Sequence, residues 1–189
     1  MFRVTRPGEE DIRRWLAGQE AAPLPAGGAS RRHVVDHNRI RLGVGPVAFD
    51  RACAALRRWE MFRLGWVSLF PPDAPLRVGT TVAVLVRHLG FWSLNPCRIV
   101  RLVEDSGSVS GPVARFGFAY RTLPDHAVDG EEQFIVEWSR EDDAVAYDLR
   151  AWSRPRHPLA WIGLPVARRI QRQFARDSQR AMVRAVGRP

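Results

Sequence analysis

The strongest constraint on the fold is a run of six consecutive segments in which apolar residues recur at every second position. This period is typical of β-strands that bury one face. The connecting stretches, such as PPDAP, EDSGSVSGP, PDHAVDG and REDD, are short and turn-like, and short links join antiparallel neighbours rather than parallel ones. The predicted strands are Gly65–Phe70, Thr80–Leu89, Trp92–Glu104, Val113–Leu123, Glu132–Arg140 and Ala144–Ser153.

Helical periodicity flanks this run on both sides. Apolar residues spaced three and four apart predict a short helix at Glu9–Glu20 and a longer one from Pro46 to about Phe62, with a strand at Val34–Leu42 between them. The chain from Pro158 onward predicts a long final helix. The order is therefore strand, helix, six antiparallel strands and a C-terminal helix.

A sheet of this size must cover its apolar face or curl around a covering element. We therefore predict an α+β fold: a curved antiparallel sheet of about six to seven strands wrapped around the long C-terminal helix, with an internal cavity. The 189 residues fit one domain, with residues 1–30 as an N-terminal helix and loop and residues 31–189 as the core. This order is similar to the helix-grip architecture of the START and Bet v 1-like proteins, which enclose a ligand cavity between sheet and helix.

The composition excludes several classes of site. All 29 basic residues are arginine, which excludes a Schiff-base lysine and a P-loop lysine. A GC-rich genome explains the arginines most simply, and selection for a polyanionic partner is the alternative explanation of the net charge of +9. Cys53 and Cys97 are too few for a disulfide framework and are expected to be core thiols. No apolar run approaches the roughly 18 residues that span a bilayer, and the N-terminus has no hydrophobic leader, so we expect a cytoplasmic protein.

Three stretches together resemble the DUF1990 (UPF0548) family. They are Gly43–Val67, Val78–Val100, and the set GFAY, GEEQF and SRPRHPLAWIGLPVARRIQRQFARDSQRAM. The resemblance covers about Arg41 to Val186 and implies a fold but little mechanism. Arg121 and Asp125 stand where the family pattern has glycine, and the first forty residues differ from the usual opening. The wider helix-grip superfamily contains polyketide cyclases, so the resemblance implies cyclisation or dehydration as the natural activity.

Two patterns that resemble cofactor motifs have simpler explanations. Gly43–Ala48 matches G-x-G-x-x-A, but Pro46 removes an N–H that a pyrophosphate would use, and no further strand–helix alternation follows. We expect a tight turn entering a helix, and no cofactor. His33 and His37 are four residues apart, but the segment reads as a strand and lacks the glutamate of an H-E-x-x-H motif. We expect no metal site.

Arginine recurs at every fourth position of the final helix. Because four residues advance about 40° beyond one turn, this stripe winds around the helix and cannot form one flat patch. A solvated helix face is the simpler interpretation, and a nucleic acid or an anionic lipid headgroup is the alternative ligand. Nucleic acid is not favoured, because no Tyr or Phe is interleaved as a stacking platform requires. The members are Arg168, Arg172, Arg176, Arg180, Arg184 and Arg188.

Two strands carry the best candidate site. Tyr120 shares its face of Val113–Leu123 with Phe116, Phe118 and Thr122, and Glu132 shares its face with Phe134, Val136 and Trp138. Both faces are the more apolar ones and are predicted to point inward. His88 ends the apolar set of Thr80–Leu89, and Arg98 begins a set on the next strand.

A phenol, a carboxylate and an imidazole in an apolar cavity can exchange protons with a ligand, and burial would raise the pKa of Glu132. The alternative is structural: Glu132 pairs with Arg98 or Arg121, and Tyr120 bonds to a backbone carbonyl. A register slip of one residue would turn both Tyr120 and Glu132 outward.

The leading hypothesis is binding of a hydrophobic, polyketide- or lipid-like molecule, with cofactor-free acid–base cyclisation or dehydration. Tyr120 and Glu132 would exchange protons with the ligand, with His88 as a weaker third candidate. The predicted ligand-binding residues are Phe116, Phe118, Trp92, Arg98, Thr122 and Trp138. The tryptophans and phenylalanines could equally be core filling. A non-catalytic ligand carrier or sensor and a polyanion-binding module built on the C-terminal arginines remain alternatives.

Overall fold

The computed structural model describes residues 2–25, 34–105, 111–126, 128–155 and 164–187. In chain order the elements are β1 (Phe2–Arg3), α1 (Glu9–Ala17), β2 (Val34–Val44), α2 (Gly45–Arg57), a 3-10 helix (Glu60–Phe62), β3 (Val67–Phe70), β4 (Thr81–His88), β5 (Phe91–Asp105), β6 (Val113–Thr122), β7 (Val128–Ser139), β8 (Ala144–Pro155) and α3 (Leu164–Gly187).

The strands form one antiparallel sheet in the order β2-β8-β7-β6-β5-β4-β3, and β1 pairs with the start of β5. Register shifts in β5 between Ile99 and Arg101, and in β2 between Arg41 and Gly43, interrupt the alternation. Such bulges bend and twist a strand. The sheet curls into a half-barrel whose concave face is covered by α2, the 3-10 helix and α3. The predicted α+β fold, with a curved antiparallel sheet around a C-terminal helix, is confirmed.

The main core lies between the concave face and the helices, and aromatic rings fill its centre. Phe118 and Phe134 stack with ring centroids 5.1 Å apart, and Trp59 meets Phe118 edge-on at 4.8 Å. Phe62 lies 5.3 Å from Phe174 of α3. These contacts join the sheet, the 3-10 helix and α3 in one buried cluster.

The predicted helix from Pro46 to Phe62 is divided in the structure. It begins as expected, with Gly45 at φ 78° before Pro46 at the start of the helix. It ends at Arg57 because Trp59 adopts a left-handed conformation with φ 56°. The 3-10 helix that follows carries Phe62 into the core.

A second core lies on the convex face, where α1 covers the sheet. Ile12 and Leu16 pack against a patch of β3, β4 and β5. The spacing of four residues places both on one side of the helix. The patch consists of Phe70, Ala83, Leu85 and Leu94.

Candidate functional site

Tyr120 and Glu132 are directly opposite each other on the adjacent strands β6 and β7. The Tyr120 hydroxyl donates a hydrogen bond of 2.6 Å to Oε2 of Glu132. Tyr120 is only 4% exposed, whereas Glu132 is partly exposed. Tyr120 belongs to the main core with Phe118 and Phe134, so the pair lies on the concave face. Both residues therefore lie on the inward face that the alternation of apolar residues predicts.

Burial controls the protonation of this pair. It raises the pKa of Glu132, the hydrogen bond from Tyr120 acts in the opposite direction, and the negative charge of Asp36 adds to the rise. Burial and the neighbouring Glu132 charge also hold the pKa of Tyr120 well above its ordinary value. The phenol therefore stays neutral at physiological pH and donates to a carboxyl group that takes up a proton more readily than an exposed glutamate.

Two further contacts tie α3 to the sheet near this pair. The hydroxyl groups of Tyr147 on β8 and Ser178 on α3 are 2.9 Å apart, and both residues are buried. Arg168 of α3 donates to Asp36 of β2 at 2.7 Å. Asp36 is the same carboxylate that raises the pKa of Glu132. These contacts fix α3 over β8 and β2, the two strands that follow β7 in the order of the sheet.

Short side chains surround the pair on one side. Ala151 is opposite Glu132 on β8, Ser153 is opposite Gly130, and Cys97 is opposite Thr122. Gly130 has no room for a side chain, because a Cβ there would lie 2.3 Å from the carbonyl oxygen of Trp152. Aromatic rings fill the concave face on the other side of the pair. Toward the turn between β6 and β7, the concave face beside the pair therefore carries short side chains.

Four of the six predicted ligand-binding residues belong to the packed framework on the concave side. Phe118 is completely buried, and the guanidinium of Arg57 lies 4.1 Å from the ring of Phe116. The Thr122 hydroxyl accepts a hydrogen bond of 3.0 Å from the Gly130 N–H. Trp138 donates through Nε1 to Asp143 at 2.8 Å, and it lies six residues along β7 from Glu132.

Arg98 lies away from the pair, contrary to the prediction. Its guanidinium donates to the backbone carbonyls of Gln19, Glu20 and Ala22 at 2.8–2.9 Å, so it fastens the segment that follows α1 to the sheet. The bulge after Ile99 interrupts the alternation from which its inward direction was inferred. The alternative ion pair between Arg98 and Glu132 is absent for the same reason.

Arg121 also makes no ion pair with Glu132, since the guanidinium lies over the Trp152 ring at 5.1 Å and approaches Asp129 at 3.9 Å. Thr81 is level with Arg121, the residue next to Tyr120, and His88 is seven residues farther along β4, so it lies roughly 25 Å along the sheet from Tyr120. Trp92 packs with the convex core beneath α1. Neither His88 nor Trp92 joins the pair.

The remaining reactive groups are explained by packing. Cys53 and Cys97 are free and buried, and burial raises the pKa of Cys53 to about 12. His37 bonds to Asp148 at 2.7 Å, whereas His33 lies outside the described residues. Within the described part of the chain, no cluster of His, Cys, Asp and Glu could hold a metal ion.

Cavities of about 220–580 Å³ open around α1, α2 and the end of α3. Tyr120 and Glu132 line none of these four. The largest lies between α2, the 3-10 helix and α3.

Sequence reasoning missed Tyr147, Ser178, Asp36 and Arg168 as neighbours of the site. Tyr147 was detectable, because it alternates with Val145 and Leu149 in a predicted strand. Arg168 and Ser178 of α3 could not be identified from the sequence, because helical periodicity does not indicate which strand a given turn of the helix will cross.

Comparison with known proteins places this architecture in a family. The model of the Domain of unknown function DUF1990 matches residues 17–181. A UPF0548 protein of Dictyostelium discoideum is 40% identical over 159 residues, covering 81% of this chain and 73% of the relative. A UPF0548 protein of Deinococcus radiodurans is 39% identical over 161 residues, covering 79% and 77%.

The fold also matches a solved structure. Truncated norcoclaurine synthase from Thalictrum flavum aligns with a TM-score of 0.53 at 9% identity, covering 87% of this chain and 99% of that chain. Among the described residues no helix is long and apolar enough to cross a membrane. With a family model spanning most of its length and relatives near 40% identity, the chain belongs to the DUF1990 (UPF0548) family.

Proposed function

We propose that this protein binds a hydrophobic small molecule of polyketide- or lipid-like character on the concave face beneath α3, and that Tyr120 and Glu132 exchange protons with it. The observation that carries the proposal is the 2.6 Å hydrogen bond between a buried phenol and a partly buried carboxyl group. The likeness of the fold to norcoclaurine synthase supports a ligand site between sheet and helix.

The pair suits cofactor-free acid–base chemistry. Glu132, as a carboxylate, removes a proton from a carbon next to a ligand carbonyl, and its raised pKa makes it a stronger base than an exposed glutamate. Tyr120 donates a hydrogen bond to the developing oxyanion. In a cyclisation, the resulting carbanion attacks a second carbonyl carbon of the same ligand, and the protonated Glu132 gives its proton to the alkoxide oxygen that this bond formation creates. In a dehydration, the carbanion electrons form a C=C bond as the C–O bond of a β-hydroxyl group breaks, and the protonated Glu132 gives its proton to the departing oxygen, which leaves as water.

The proposed position of the ligand is next to the short side chains of β8. Ala151 and Ser153 lie on β8, opposite Glu132 and Gly130, and both have short side chains. Both are partly exposed, and Gln171 of α3 donates to the Ser153 hydroxyl at 3.2 Å, so a ligand placed here would also meet α3. A planar or aliphatic molecule placed there would reach the Glu132 carboxyl group while resting against apolar core residues.

Binding is tested by filling this space. In an Ala151→Phe variant, we expect the affinity for the fluorescent probe 8-anilinonaphthalene-1-sulfonate to fall about tenfold or more. An Arg150→Phe variant is the matched control, because it adds the same ring to the neighbouring residue on the opposite, exposed face, and its affinity should stay within about twofold of wild type. Equal affinity in both variants would place the probe elsewhere and remove the proposed binding site.

Chemistry is tested separately from binding. A ligand extracted from the purified protein is identified by mass spectrometry and then offered to the wild type and to Tyr120→Phe, Tyr147→Phe, Glu132→Gln and Glu131→Gln variants. Turnover should fall about a hundredfold or more in the Tyr120 and Glu132 variants only. The Tyr147 and Glu131 variants remove the same groups elsewhere. A ligand that the wild type leaves chemically unchanged would instead identify a carrier.

A further inference from the structure

A groove of about 580 Å³ lies on the helical side of the molecule, apart from the Tyr120–Glu132 pair. Its walls come from α2, the 3-10 helix with the residue after it, and the last turns of α3. Four arginines, one glutamate and three alanines line it: Arg51, Arg58, Arg63, Arg184, Glu60, Ala54, Ala181 and Ala185.

Helical spacing explains how the groove is built. Arg51 and Ala54 are three residues apart, so they share one face of α2, and Arg58 follows directly after the last residue of that helix. Ala181 and Ala185 share one face of α3 in the same way. The alanines make a low floor between the two helices, and the long arginine side chains form the rim.

The positive charge of the groove is only partly neutralised by its own residues. Glu60 is the one acidic residue of the lining, and it lies 3.4 Å from both Arg58 and Arg63. Arg51 donates to the carbonyl of Val186 at 3.4 Å. Four positive charges and one negative charge leave a formal charge of +3, and the side chains of Arg58 and Arg63 remain 55% and 58% exposed.

We infer that this groove binds an anion that carries two or more phosphate groups. Guanidinium groups make paired hydrogen bonds to phosphate oxygens, and several of them around one concave surface match a multiply charged ligand better than a single carboxylate. Of the described members of the arginine stripe of α3, only Arg184 belongs to the groove. Of that stripe, Arg168 is held by Asp36 and Arg180 by Asp177, and Arg184 lines the groove.

Calorimetric titration with inorganic tripolyphosphate at low ionic strength tests the inference. Replacing Arg58, Arg63 and Arg184 together by Gln should weaken binding about tenfold or more. Replacing Arg169, Arg172 and Arg176 by Gln removes the same charge from exposed positions of α3 outside the groove lining, and it should weaken binding by about threefold or less. No binding by the wild type, or equal weakening in both triple variants, would overturn the inference.

A variant with the opposite effect sharpens the test. Glu60→Gln frees Arg58 and Arg63 and raises the groove charge to +4, so it should bind tripolyphosphate several-fold more tightly than wild type. Unchanged or weaker binding would contradict a site formed by these arginines.

Vesicles containing phosphatidylinositol 4,5-bisphosphate distinguish the source of the phosphates. Retention of the protein on these vesicles that depends on the groove arginines identifies a lipid headgroup, and tripolyphosphate binding without retention identifies a soluble ligand.

Discussion

Replacing Tyr120 by Phe removes the hydrogen bond that the Glu132 carboxyl group accepts from the phenol, without changing the aromatic ring. The two tyrosines of this chain provide a matched comparison, since both are buried on the same face of the sheet. Tyr120 donates to a carboxyl group at 2.6 Å, whereas the Tyr147 hydroxyl is paired with the neutral Ser178 hydroxyl at 2.9 Å. A Tyr147→Phe variant therefore loses a neutral hydrogen bond, and a Tyr120→Phe variant loses one to a charge.

The magnitudes follow from this difference. A hydrogen bond to a charged group contributes about 1.5–3 kcal/mol to stability, and a neutral one about 1 kcal/mol. The Tyr120 hydrogen bond lowers the pKa of Glu132 against the larger effect of burial, so its removal raises that pKa further. A carboxyl group with a raised folded pKa loses its contribution to stability as the pH rises from the unfolded value of 4.5 through the folded value. The cost of Tyr120→Phe should therefore be about 1 kcal/mol at pH 4 and about 2–3 kcal/mol at pH 8.

Urea denaturation followed by tryptophan fluorescence at pH 4, 6 and 8 measures these free energies of unfolding. Tyr147→Phe should cost about 1 kcal/mol at all three values. In a Glu132→Gln background, the cost of Tyr120→Phe should lose its dependence on pH. The reasoning fails if the two tyrosine variants lose equal stability at pH 8, or if the cost of Tyr120→Phe is the same at every pH.

Two further predictions concern the framework. Gly117→Ala should destabilise the fold by about 2–3 kcal/mol in urea denaturation, because the new Cβ would lie 2.1 Å from the carbonyl oxygen of Phe134; Gly187→Ala meets open space and should change stability by less than about 0.5 kcal/mol. Arg98→Gln should release the segment that follows α1 and accelerate tryptic cleavage within α1 several-fold, whereas Arg101→Gln, which removes an exposed pair with Glu131 at 3.6 Å, should leave the cleavage rate unchanged.

The period-two pattern of the sequence predicted much of the candidate site. Tyr120 and Glu132 were assigned to inward faces from alternation alone, and the structure places them opposite each other. This succeeded because both strands are regular between the two residues and the end of the hairpin. Alternation is a local property of the backbone, so it survives into the fold wherever no bulge intervenes.

The same pattern failed where the sheet is irregular or covered on its convex side. Arg98 precedes the bulge of β5, whereas Leu102 follows it. An inward direction for Arg98 requires unbroken alternation from Arg98 to Leu102, and the bulge breaks it. Trp92 was assigned to the cavity because it is aromatic, but α1 supplies a second apolar surface on the convex face. The sequence alone did not indicate that the sheet has an apolar core on each face, so that an aromatic residue can be buried on either one.

The sequence by itself determined the order of strands and helices and the antiparallel pairing of the strands, because backbone periodicity and turn chemistry act over a few residues. Its motifs also identified the family. Tertiary structure decided which side chains meet. The contact of Tyr147 with Ser178, the ion pair of Asp36 with Arg168 and the arginine groove all depend on how far the sheet curls and how each helix is rotated over it. Those angles result from packing the whole core, which no local pattern encodes.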